Sequence, residues 1–115
     1  MNNNYVKIAY HAIDEKKGAD IKVLDISSIS SIADYFIITN GSNIHQVQAI
    51  CDSVSEELGK NGCHYKSIEG YESGSWILMD YGDIIIHIFN REERHFYDLE
   101  RIWRDGRLVT DEELI

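Results

Sequence analysis

"WILMDYGDIIIHIFN", residues 76 to 90, sets two apolar runs on either side of an Asp-Tyr-Gly-Asp tetrad, and the sorting of its side chains decides the fold. Successive side chains of a strand point to opposite faces, and directly opposed residues of an antiparallel pair share a face. A two-residue turn, at Tyr81-Gly82 or at Gly82-Asp83, gives the same sorting in either case. Ile77, Met79, Ile84, Ile86 and Ile88 fall on one face, which reads as core. Trp76, Leu78, Asp80, Asp83, Ile85, His87 and Phe89 fall on the other, and that mixture needs a covering element or a partner.

Upstream of the hairpin, GYESGS is a turn-rich loop and HYKSIE, 64 to 69, an edge-strand candidate with polar residues exposed. Before these, Ile44, Val47, Cys51, Val54 and Leu58 recur at spacings of three and four, which predicts a helix of about four turns. Asn43 stands three residues ahead of Gln46 in the arrangement of a capping box, and Gly59 or Gly62 can end the helix. YFIIT, 35 to 39, is a nearly unbroken apolar run and reads as a central strand buried on both faces. IKVLDI, 21 to 26, is short and rich in branched residues, and the polar SSISSIAD separates the two. Residues 5 to 17 put Val6, Ala9 and Ile13 on one helical face before Gly18 offers a stop. Downstream, Phe96, Leu99 and Trp103 are helically spaced and predict a last helix that partly covers the second hairpin face.

The element order predicts an α/β (α+β) fold, a mixed sheet of about five strands flanked by helices. With 115 residues, 43% hydrophobic and 27% charged, the chain suffices for one compact core and is too short for two ordinary domains. Residues 1–105 are expected to form that domain and 106–115 a loose acidic tail. The balance of 11 basic against 20 acidic residues, a formal net charge of -9, repels a phosphate backbone, so direct nucleic-acid binding is not expected, whereas a basic protein partner is favoured. Two cysteines at an unremarkable spacing need no disulfide framework, and no apolar run approaches about 18 residues. A soluble cytoplasmic protein, without membrane association, is the expectation.

The Asn40-Gly41-Ser42 junction between strand and helix is the most enzyme-like local feature, since N–H groups at a helix start hold phosphate. Nucleotidyl transfer also needs paired carboxylates to hold a divalent ion, and the next strand offers Glu69 alone. A Gly-Ser turn at a helix start is otherwise ordinary capping chemistry. The five histidines make no ligand pattern, and Cys51 on an apolar stripe reads as a small hydrophobe. No cofactor and no catalytic residue is therefore expected. Asp80 and Asp83 flank a glycine turn and serve equally as turn residues. Trp76 reads as an interface anchor with a polar rim or as core, with nothing in the pattern to choose between them.

DYGDIIIHIF, 80 to 89, followed by RHFYDLERIW, 94 to 103, resembles the signature of the ribosomal silencing factor family, RsfS or Iojap. ADYFIITNGSNIHQVQAICDSV, 33 to 54, and EGYESGSWILMDYGD, 69 to 83, resemble the same family, so the likeness spans roughly residues 5 to 105. It implies a nucleotidyltransferase-like fold without the catalytic carboxylates, and a protein that is not an enzyme. It also implies binding to the large ribosomal subunit through that subunit's fourteenth protein, blocking the small subunit and lowering translation when nutrients are scarce. The family's strand tryptophan falls on Trp76, its Asp-x-Gly-Asp turn on Asp80, Gly82 and Asp83, and the Tyr and Glu of its last helix on Tyr97 and Glu100. Tyr81 and the His95-Phe96 pair are departures that leave the match intact. With Leu78 beside Trp76, these make a partner-binding set of Trp76, Leu78, Asp80, Asp83, Tyr97 and Glu100. Two alternatives stay open: a small nucleotidyltransferase acting through Gly41-Ser42, and a homodimer formed through the Trp76 face.

Overall fold

A computed structural model describes residues 3–91 and 106–114. In chain order the elements are α1 (Asn3–Glu15), β1 (Ala19–Asp25), β2 (Tyr35–Gly41), α2 (Ile44–Lys60), β3 (Ser67–Glu69), β4 (Trp76–Asp80), β5 (Ile84–Asn90), β6 (Arg107–Leu108) and α3 (Asp111–Leu114). The strands form one open six-stranded sheet in the order β3-β4-β5-β2-β1-β6. Only β2 and β5 run parallel, and the other neighbours are antiparallel. The fold is α+β with a mixed sheet, and the helix expected over 91–105, with Tyr97 and Glu100, lies beyond Arg91 outside the described residues.

The period-two alternation of the hairpin holds. Ile77, Met79, Ile84, Ile86 and Ile88 are all buried, and α1 and α2 lay their apolar stripes over them through Ala9, Ile13, Ile50, Val54 and Leu58. Each fully buried aliphatic side chain of this layer stabilises the fold by about 1.5–3 kcal/mol. All seven residues of β2 are buried, as its apolar run requires of a strand with neighbours on both sides and cover on both faces. Tyr35 and Ile37 join the helix-covered core, while Phe36 and Ile38 join a second cluster with Leu24, Ile26, Ala33 and Phe89 on the opposite face.

The hairpin closes on Gly82-Asp83, because Tyr81 N–H donates to the Ile84 carbonyl at 2.9 Å. Gly82 carries φ +90, a conformation natural to glycine at the first central position of a tight hairpin turn. α2 ends where expected: Gly62, at φ +82, lets its own N–H and that of Cys63 return to the carbonyls of Gly59 and Leu58. At the end of α1 the left-handed residue is Lys17, at φ 65, and not the adjacent glycine.

Residues 106–114 are a correction to the expected loose tail. β6 adds a sixth strand by pairing with β1, and Val109 N–H donates to the Val23 carbonyl at 2.8 Å. Leu114 is 2% exposed and belongs to the main core, and its carbonyl accepts from His11 Nε2 at 2.9 Å. No helix among the described residues is long and apolar enough to cross a membrane.

Candidate partner-binding face

β4 carries Trp76, Leu78 and Asp80 on the sheet face away from α1 and α2, and all three are half-buried. Across the ladder they oppose Phe89, His87 and Ile85 of β5 respectively. Strand alternation thus sets three of the six expected residues in one row along this face, and the exposed Asp83 lies in the turn beyond Asp80.

Trp76 is neither sealed in the core nor fully open. Its ring stacks on Phe89, with centroids 5.1 Å apart and planes 26° from parallel, and so rests on the second cluster while part of it meets solvent. The indole N–H donates to His87 Nδ1 at 3.1 Å. His87 is only 4% exposed and sits edge-on to Phe36 with centroids 4.9 Å apart. Burial pushes its imidazole down to about 4, because a cation there would lose its hydration.

The two aspartates behave differently. Asp80 Oδ1 accepts the Gly82 N–H at 2.7 Å, so this carboxylate holds the turn, as a flanking Asp does. Asp83 is anchored through its backbone: its carbonyl accepts from Asp34 N–H at 2.8 Å and from Tyr35 N–H at 3.0 Å, tying the turn to the start of β2. The Asp83 side chain is left in solvent, beside a loop that exposes Ile29 at 43% and Ile32 at 65%. Those two isoleucines were missed in the sequence; the signal was apolar residues alone among serines, with no partner at a strand or helix spacing.

The β2–α2 junction is filled from within. Asn43 Oδ1 caps α2 by accepting Gln46 N–H at 2.9 Å. Gln46 Oε1 accepts the Ser42 N–H at 2.7 Å and the Ser42 hydroxyl at 2.9 Å, one residue earlier than a capping box would return. Its amide then donates to the Lys17 carbonyl at 2.9 Å, so the Ser42 donors and the Gln46 N–H at this junction are engaged within the chain itself. No group of three or more His, Cys, Asp or Glu among the described residues is placed to hold a metal ion. Cys51 is a buried free thiol, pushed up to about 12 by its burial, and so is unsuited to nucleophilic work.

Among the described residues, an open mixed sheet with α1 and α2 on one face and a half-buried aromatic row on the other defines a small α+β module. A crystal structure of a Chromobacterium violaceum protein has this fold, with a TM-score of 0.88 at 34% identity over 96% of this chain and 91% of that one. The family described as ribosomal silencing factor during starvation matches residues 2–114. A relative named ribosomal silencing factor RsfS, from Bacillus subtilis (strain 168), is 42% identical over 110 residues, 95% of this chain and 93% of its own length. More distant is a Mus musculus protein named mitochondrial assembly of ribosomal large subunit protein 1, 27% identical over 92 residues, 77% of this chain and 40% of its own length. The chain belongs to the ribosomal silencing factor family.

Proposed function

We propose that this protein binds the large ribosomal subunit through that subunit's fourteenth protein and, seated there, keeps the small subunit from joining, so that translation falls when nutrients are scarce. Family membership supports a role in silencing ribosomes, and the mouse relative's name places that protein in large-subunit assembly. The observation that carries the docking site is the row on β4, where an indole and a leucine lie half-open to solvent beside carboxylates. Trp76 and Leu78 supply the apolar centre, and Asp80, Asp83 and Glu100 face basic groups of the ribosomal protein, with Tyr97 adding a ring and a hydroxyl. The net charge of -9 steers the encounter toward a basic surface. Occlusion needs no catalysis and no cofactor, and it operates where ribosomes work, in the cytoplasm.

Co-sedimentation with purified large subunits tests the site. Trp76→Ala is expected to cost about 2–4 kcal/mol of binding, a loss of about thirtyfold or more. Equal retention of the two proteins removes Trp76 from the interface. A subunit-joining assay tests the mechanism apart from the site: saturating protein that leaves joining unchanged rules out occlusion.

A further inference from the structure

We infer that His87 is a positioning residue, whose Nδ1 holds the Trp76 indole in one orientation on the docking face before any partner arrives. The inference rests on the proposed docking role of that face and names the buried group that prepares it. His87 lies among Phe36, Ile38 and Phe89, a layer that an aromatic hydrocarbon would fill without cost to any polar atom. An imidazole there is not needed for packing. It contributes an acceptor: Nδ1 takes the indole N–H at 3.1 Å. A neutral ring that accepts at Nδ1 carries its proton on Nε2, and Nε2 is buried with no hydrogen-bond partner among the described residues. The layer therefore retains an unmatched N–H for the sake of one directed bond to Trp76.

That bond does what stacking cannot. The face of Phe89, with centroids 5.1 Å apart, sets the plane of the indole, yet a ring turned over in its plane stacks equally well. Indole has a single polar hydrogen, so the acceptor on β5 selects the orientation that turns the N–H inward and leaves hydrocarbon at the open edge. A half-exposed side chain fixed in this way has less freedom to lose when a partner covers it, and the saving appears as affinity.

Two variants separate positioning from bulk. His87→Phe keeps an aromatic ring and removes the acceptor; His87→Asn keeps an acceptor near the place of Nδ1 in a smaller side chain. The readouts are the indole N–H resonance of Trp76, distinguished from that of Trp103 by a Trp103→Phe background, and affinity for purified large subunits. In His87→Phe the resonance is expected to move upfield and exchange faster with solvent, and affinity to fall about three- to tenfold. In His87→Asn both are expected to return toward wild type. An unchanged indole resonance in His87→Phe overturns the inference, as does an equal loss of affinity in both variants, which would mark a packing role. If wild type and Trp76→Ala bind large subunits alike, the docking role fails on its own, and the resonance alone then decides whether His87 orients the indole.

Discussion

A methyl group at Gly18 would have nowhere to go. Its Cβ would stand 2.3 Å from Ile13 Cγ2 and 2.9 Å from Thr39 Oγ1, the first at the end of α1 and the second inside β2. Gly62 is constrained differently: its surroundings are open, and only its φ of +82 favours glycine. Overpacking at the first site is expected to lower stability by about 1–3 kcal/mol in Gly18→Ala. The milder backbone strain of Gly62→Ala is expected to cost about 1 kcal/mol. Urea unfolding at one pH checks both, and an unaffected Gly18→Ala would mean that α1 and β2 can move apart freely. In the sequence both glycines read alike, as helix stops. Part of the reason for Gly18 was hidden because one of the two crowding atoms, Thr39 Oγ1, lies on a strand some twenty residues away, and local spacing carries no record of such an approach.

Among the elements, the hairpin was legible and the last strand was not, for the same physical reason. β4 and β5 hold five and seven residues, long enough for alternation to sort their faces, and the sorting put Trp76 beside Leu78 and away from Ile77 before any coordinates. β6 has two residues and α3 has four, too few for any period to show. What fastens them is the buried Leu114, the half-buried Val109 and a few backbone bonds. Arg107 does reach Glu113 at 2.9 Å and Asp25 at 3.6 Å, but such exposed pairs contribute little. Leu114→Ala is therefore expected to cost about 2–4 kcal/mol, through the lost burial and the cavity it leaves. Amide exchange at Val109 should quicken with it. A tail that held its protection after this change would be fastened by the surface ion pairs. The site was legible to the same depth: Trp76, Leu78 and Asp80 follow from alternation, whereas the inward turn of the indole and the use of Asp80 by its own turn depend on hydrogen bonds across the hairpin.

The whole molecule responds to acid through its buried imidazole first. His87 titrates near 4 in the folded chain and at 6.5 as a free side chain, so between those values the unfolded chain binds a proton that the native one refuses. Its contribution is complete above that window and disappears as pH falls through it, a span worth about 3 kcal/mol. Asp25 and Glu113, whose pKa values are lowered chiefly by hydrogen bonds from Ser27 and Arg107, add a smaller loss at the acid end. Urea midpoints of wild type are thus expected to drop between about pH 6.5 and 4, with much of that slope missing in His87→Phe. Parallel slopes would mean that the imidazole accepts its proton without disturbing the fold. A different consequence follows from the one parallel seam in the sheet. Tyr35 meets Ile84 across about fifty residues of intervening chain, while α2 and the β4–β5 hairpin are made from neighbours in sequence. Closing so long a loop costs entropy before the seam returns any contact. The middle of the sheet, the most protected place in the finished protein, is thus set late in folding, and until it is set the apolar edges of β2 and β5 remain open to pairing with other chains.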